Sequence, residues 1–226
     1  MKLSRRLRSA AVSLLLLVAC LGTAPLRAAA RPTTERIVLA GGCFWGMQAV
    51  FQRLVGVKRT VVGYAGGSAR TAHYEIVSTG LTRQAESVEI WFDPHVISLQ
   101  QLFAVYFTIA QNPTERDYQG PDRGPQYRSE IFYTTAHQRK VAEATIVALA
   151  NAHRYNAPIV TIVAPLDAFY RAESYHQNFE LRHPTDPYIV EVDLPKLRAL
   201  EKAFPNLVAR AYRRSPVSGA SSRWLP

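Results

Sequence analysis

The stretch Arg36-Ile37-Val38-Leu39-Ala40-Gly41-Gly42-Cys43-Phe44-Trp45-Gly46-Met47-Gln48-Ala49-Val50-Phe51-Gln52-Arg53-Leu54 changes its period half-way along. Arg36 to Ala40 is an apolar run of the length of a buried strand. Gly41 and Gly42 break it, after which Met47, Val50, Phe51 and Leu54 recur at helical spacing. Cys43 therefore falls in a turn that feeds a helix N-terminus. The glycines let a ligand approach the backbone, and the free amides and helix dipole favour a thiolate, which is the nucleophilic form. Phe44 and Trp45 read either as core residues or as the wall of a small apolar pocket.

Outward from this stretch, Val57 to Tyr64 reads as a strand closed by Gly66 and Gly67. Glu86 to Phe92 alternates: Glu86, Val88, Ile90 and Phe92 share one face, which places the Glu86 carboxyl on the apolar side. Asp93 and Pro94 end that strand. Ser98 with Gln101, and Thr135 with Gln138, carry the capping-box signature of two core helices. Between them lies a polar loop, Gln111 to Gly124, leading into a strand near Ser129 to Thr134, with further strands expected at Ile159 to Ala164 and near Ile189. Adjacent strands with few helices suggest an α+β fold, a two-layer sandwich with a mixed sheet.

Composition narrows the function classes. With 48% apolar and 19% charged residues in 226, the chain is expected to fold as one domain over residues 31–214, an enzyme or a binding module, with 215–226 as a loose tail. Half of the net charge of +10 sits in residues 1–30, and no cluster of Lys and Arg marks a nucleic-acid interface. Lys2, Arg5, Arg6 and Arg8 precede an apolar run, Ala10 to Leu21, and small residues follow: the order of a secretory signal, too short for a stable membrane span. Cleavage reads either at Ala28-Ala29-Ala30 or at Leu17-Val18-Ala19-Cys20, which resembles a lipobox and would acylate Cys20. The expected location is the bacterial envelope or periplasm, with a membrane-anchored lipoprotein as one form. After export Cys43 is the lone thiol, so no intramolecular disulfide can form, and it cannot build a zinc site with His73, His95, His137, His153, His176 and His183 at these spacings. His176 and His183 read as polar surface or hydrogen-bonded residues.

Several blocks then agree in order: Gly41-Gly42-Cys43-Phe44-Trp45-Gly46, Gly63-Tyr64-Ala65-Gly66-Gly67, His73-Tyr74-Glu75, Ala85-Glu86 with Phe92-Asp93-Pro94, Gln126-Tyr127-Arg128-Ser129, and Ala172-Glu173-Ser174-Tyr175-His176-Gln177. From about residue 36 to about 190 the chain resembles the peptide methionine sulfoxide reductase A family. The resemblance implies that family's fold, a relative of the ferredoxin-like sandwich, and reduction of peptide-bound and free methionine S-sulfoxide. Cys43 would attack the sulfoxide sulfur. Glu86 would be the acid, Tyr74 and Tyr127 would donate hydrogen bonds to the oxygen, and Asp122 would organise the site. Phe44, Trp45, Gly42 and His176 would bind substrate.

No metal or organic cofactor is implied. Sulfenic acid left on Cys43 would be reduced from outside by a thioredoxin-like or glutaredoxin-like protein or a small thiol, since the resolving C-terminal cysteines of many relatives are absent. Other departures are Arg83-Gln84 in place of Gly-His, and a divergent loop, Asp117-Tyr118-Gln119-Gly120-Pro121-Asp122. The expected partners are oxidised peptides and proteins and the thiol reductant, with the enzyme a monomer. Competing readings are a cysteine hydrolase using Cys43, His176 and Asn178, and a binder of oxidised peptides without turnover.

Overall fold

The structure, a computed structural model, describes residues 34–212. The targeting segment, Cys20 and the tail 215–226 lie outside the described residues. The elements run β1 (Glu35–Ala40), α1 (Phe44–Phe51), β2 (Val57–Ala65), α2 (Tyr74–Val77), β3 (Ala85–Phe92), α3 (Leu99–Val105), β4 (Tyr118–Gln119), β5 (Asp122–Arg123), β6 (Glu130–Tyr133), α4 (Ala136–Asn151), β7 (Ile162–Pro165), β8 (Phe169–Arg171), α5 (Phe179–Arg182) and α6 (Leu194–Ala203).

Six strands form one sheet in the order β7-β6-β1-β3-β2-β8. Every neighbouring pair is antiparallel except β6 and β7, whose parallel pairing requires a crossover, supplied by α4. The sheet is therefore mixed, as expected. The apolar sides of α1, α3, α4 and α6 gather over one face, on a core that includes Ile37, Leu39, Val88, Ile90 and Phe92. Val38, Ala40, Ala65, Ala85 and Phe132 form a smaller cluster on the other face, with Leu166 and Phe169 packed on it. Because β1 and β3 are covered on both sides, Ser87 and Glu89 are buried too. The Glu86 phase is as read: it shares the main-core side with Val88 and Ile90.

Both helix caps form, in different ways. At Ser98 the reciprocal capping box is complete, whereas Thr135 accepts from the Gln138 amide and the Gln138 side chain accepts from Thr134 instead. The strand expected near Ile189 is not formed: Ile189–Asp193 is a wide helical turn running into α6. Ile-Val-Glu-Val carries β propensity, but Asp186 Oδ1 accepts from the Tyr188 amide at 2.9 Å and starts a helical turn. Only Ile189 and Asp193, four residues apart, are buried, while Val190 is exposed, which is a helical period. The sequence reading also passed over β8, α2, α5 and α6.

Candidate active site

The β1 to α1 turn fixes the nucleophile. Gly42 adopts φ +91°, a left-handed conformation that glycine tolerates, and its amide donates to the Tyr127 carbonyl at 3.1 Å. A Cβ on Gly42 would fall 2.8 Å from Gln119 Cβ, so the polar loop closes directly onto the turn. Cys43 is then the residue before the first turn of α1 and is buried and unpaired. The first free amides of the helix are both committed: Phe44 N–H donates to Glu86 Oε2 at 3.1 Å, and Trp45 N–H is directed at the Cys43 sulfur.

The thiolate expected from the helix N-terminus is not the resting state. Burial raises the Cys43 thiol well above its ordinary value, and the nearby carboxyls of Glu86, Asp193 and Asp122 push the same way. The Trp45 amide opposes them without prevailing. Glu86 behaves as the reading required: it is 2% exposed, and burial pushes its pKa up to about 8 against the opposing Phe44 hydrogen bond. At neutral pH the pair is mostly neutral thiol and neutral acid.

Tyr74, at the start of α2, and Tyr127, at the end of a short turn over Pro125–Tyr127, face this pair. Burial, then Glu86 and Cys43, hold both phenols above their usual range, so they stay protonated donors. Asp122, in β5, accepts from Tyr188 Oη at 2.5 Å, and partial burial raises its carboxyl. Trp45 stacks on Phe179 at 3.7 Å and 6° and meets the edge of Tyr188 at 5.9 Å.

His176 is 1% exposed, which overturns the surface reading but not the hydrogen-bonded one. Its Nδ1 accepts from Trp45 Nε1 at 3.1 Å, and its ring packs against Phe44 at 4.9 Å and Tyr74 at 4.5 Å. Burial lowers its pKa, so it is a neutral acceptor behind the aromatic wall. His183 is exposed. The hydrolase constellation is not assembled: His176 is engaged by Trp45, and the Asn178 backbone, at φ 53°, is held by Gln48 Oε1. Among the described residues no group of three or more His, Cys, Asp or Glu side chains could hold a metal.

Cys43, Glu86, Tyr74, Tyr127 and Asp122 thus converge from five segments, with Gly42, Phe44, Trp45 and His176 around them. Sequence reasoning missed Tyr188, Phe179 and Asp193. The chain has eleven tyrosines, and Tyr188 lies in none of the motif blocks. Asp193 before Leu194-Pro195 carries only a helix-start signal, yet makes no cap hydrogen bond.

The family model for peptide methionine sulfoxide reductase matches residues 35–207. The chain belongs to this family. A relative named peptide methionine sulfoxide reductase MsrA 2, from Mesorhizobium japonicum, is 49% identical over 188 residues, 83% of this chain and 94% of the relative. One of the same name from Synechocystis is 46% identical, over 76% of this chain and 80% of its own. Among solved structures, reduced Mxr1 from Saccharomyces cerevisiae matches with TM-score 0.63 and 31% identity, covering 68% of this chain and 88% of that one. Methionine sulfoxide reductase A of Corynebacterium diphtheriae matches with TM-score 0.59 and 33% identity, over 69% and 78%. The site described above lies wholly inside the peptide methionine sulfoxide reductase match.

Proposed function

We propose that this chain reduces the S epimer of methionine sulfoxide, in peptides and proteins and as the free amino acid, with Cys43 as nucleophile and an external thiol as reductant. The observation that carries the reading is the Cys43 and Glu86 pair: one buried thiol beside one buried acid oriented by the Phe44 amide. Phe44 and Trp45 would hold the methyl group, and Tyr74 and Tyr127 would donate to the sulfoxide oxygen.

Glu86 delivers its proton to that oxygen, and the substrate sulfur gains positive character. Cys43 sulfur bonds to it while the thiol proton passes to the Glu86 carboxylate, restoring the acid. The oxygen then transfers to Cys43 sulfur, leaving methionine and a sulfenic acid, so the substrate is reduced by two electrons and Cys43 is oxidised by two. An external thiol attacks the Cys43 sulfur, releasing water and forming a mixed disulfide. A second thiol resolves it and regenerates Cys43.

The basic, apolar, small-residue order of residues 1–30 supports export to the envelope, with acylation of Cys20 as one route. Intact mass of membrane-extracted protein tests this, since an acyl group adds a large discrete increment.

The reaction is tested with separated S and R sulfoxides and excess dithiothreitol. Activity on the S epimer alone is expected, abolished by Cys43→Ser. Equal rates on both epimers, or turnover by Cys43→Ser, would overturn the reading.

A further inference from the structure

The first turn of α1 has a gap at Gly46 that is filled from outside: a Cβ there would lie 2.1 Å from Asp193 Oδ1. Asp193 is 0% exposed, and neither of its carboxyl oxygens makes a hydrogen bond. Lys196, three residues on, places Nζ 3.5 Å from Oδ1 while its side chain stays 24% exposed. Gly46 is three residues from Cys43, so this carboxylate lies against the helical turn that carries the nucleophile. A buried carboxylate held by one loose ion pair is destabilising, and Asp193 recovers none of that by capping α6.

We propose that Asp193, seated against Gly46 and steadied by Lys196, is a positioning residue whose negative charge adds to burial in holding Cys43 as a neutral thiol until a sulfoxide enters. Cys43 is faced by Glu86 from β3, Asp122 from β5, and the phenols of Tyr74, Tyr127 and Tyr188. Asp193 is faced by Lys196, Asp122 and Glu180, the last held by Arg53 at 2.9 Å. Burial pushes Asp193 up to about 6, so it is charged at neutral pH, where Glu86 is mostly protonated.

A negative field opposes an anionic sulfur on the enzyme and favours a cationic sulfur on the substrate. In the proposed reaction, on which this consequence rests, the same carboxylate stabilises the protonated sulfoxide that Cys43 attacks. The resting thiol is meanwhile shielded from stray oxidation, which follows thiolate character.

The test is the pH dependence of iodoacetamide alkylation in the full chain, read by mass spectrometry on the peptide that carries Cys43. Asp193→Asn, which keeps the shape beside Gly46, is expected to lower the alkylation midpoint by about one pH unit, about tenfold faster labelling at neutral pH. Lys196→Gln, at a part-exposed site, is expected to move the midpoint upward. A merely structural role gives no reason for opposite shifts. An unmoved midpoint in Asp193→Asn, or shifts of the same sign in both variants, would overturn the proposal. Alkylation involves no sulfoxide, so a chain inactive on sulfoxides but showing opposite shifts would sink only the proposed reaction, and an active reductase with unmoved midpoints would sink only this inference.

Discussion

At Cys43 the helix end and burial act in opposite directions on one proton. A helix N-terminus is worth about 0.3 to 2 kcal/mol toward the anion, whereas desolvating a charge costs several. Burial prevails, and the added carboxyls strengthen it. Glu86 obeys the same balance with the opposite use, because an acid kept protonated to about 8 can still donate near neutral pH. The kcat/KM profile should therefore fall as pH rises through about 8. Glu86→Gln should lower kcat by roughly a hundredfold or more and lose that alkaline limb. Retention of the limb in Glu86→Gln would assign it to another group.

Among the elements, the β1 to α1 turn and the sheet edge each depend on one residue. Gly42→Ala forces φ +91° on an L side chain and drives a Cβ to within 2.8 Å of Gln119, whereas Gly120, also at positive φ, has nothing within 4 Å. Gly120→Ala should cost about 1 kcal/mol in urea unfolding and Gly42→Ala about 2 to 4, with loss of activity in the second alone. Equal costs would mean that the loop yields to the added methyl. Gln177 closes the β2 edge beyond β8: its Oε1 accepts from Val62 N at 3.1 Å, and its Nε2 donates to Val62 O and Ala172 O at 2.9 and 3.0 Å. Gln177→Ala strands the buried Val62 amide and the Ala172 carbonyl, while Val62 O keeps the Ala172 amide at 3.0 Å, and should lower stability by about 2 to 4 kcal/mol, read as a reduced urea midpoint. Element reading worked where periodicity and tertiary burial agree, as in β3. It failed at Ile189, where a β-branched run was read without knowing that the sheet edges were already taken by β7 and β8.

For the whole molecule, burial of carboxyls in one place has a thermodynamic consequence. Glu86, Asp193 and Asp122 all have folded pKa values raised above their ordinary ones, chiefly by burial. At these three carboxyls the folded state binds more protons than the unfolded chain, so their contribution to stability is full at low pH and is lost as pH rises. For Glu86 the loss runs from about 4.5 to about 8. The melting temperature should fall across that window, and the combined Glu86→Gln and Asp193→Asn chain should show a flatter profile. An equally steep fall in the combined variant would place the linked protons elsewhere. The sequence alone determined the strand-turn-helix around Cys43, the face on which Glu86 points and both helix caps, because these follow from short-range periodicity and composition. Only the tertiary structure decided that Cys43 rests as a thiol, that His176 stands buried behind Trp45, and that Tyr188 and Asp193 belong to the site. Desolvation and charge depend on what distant segments bring together, and neither is written in the spacing of any one of them.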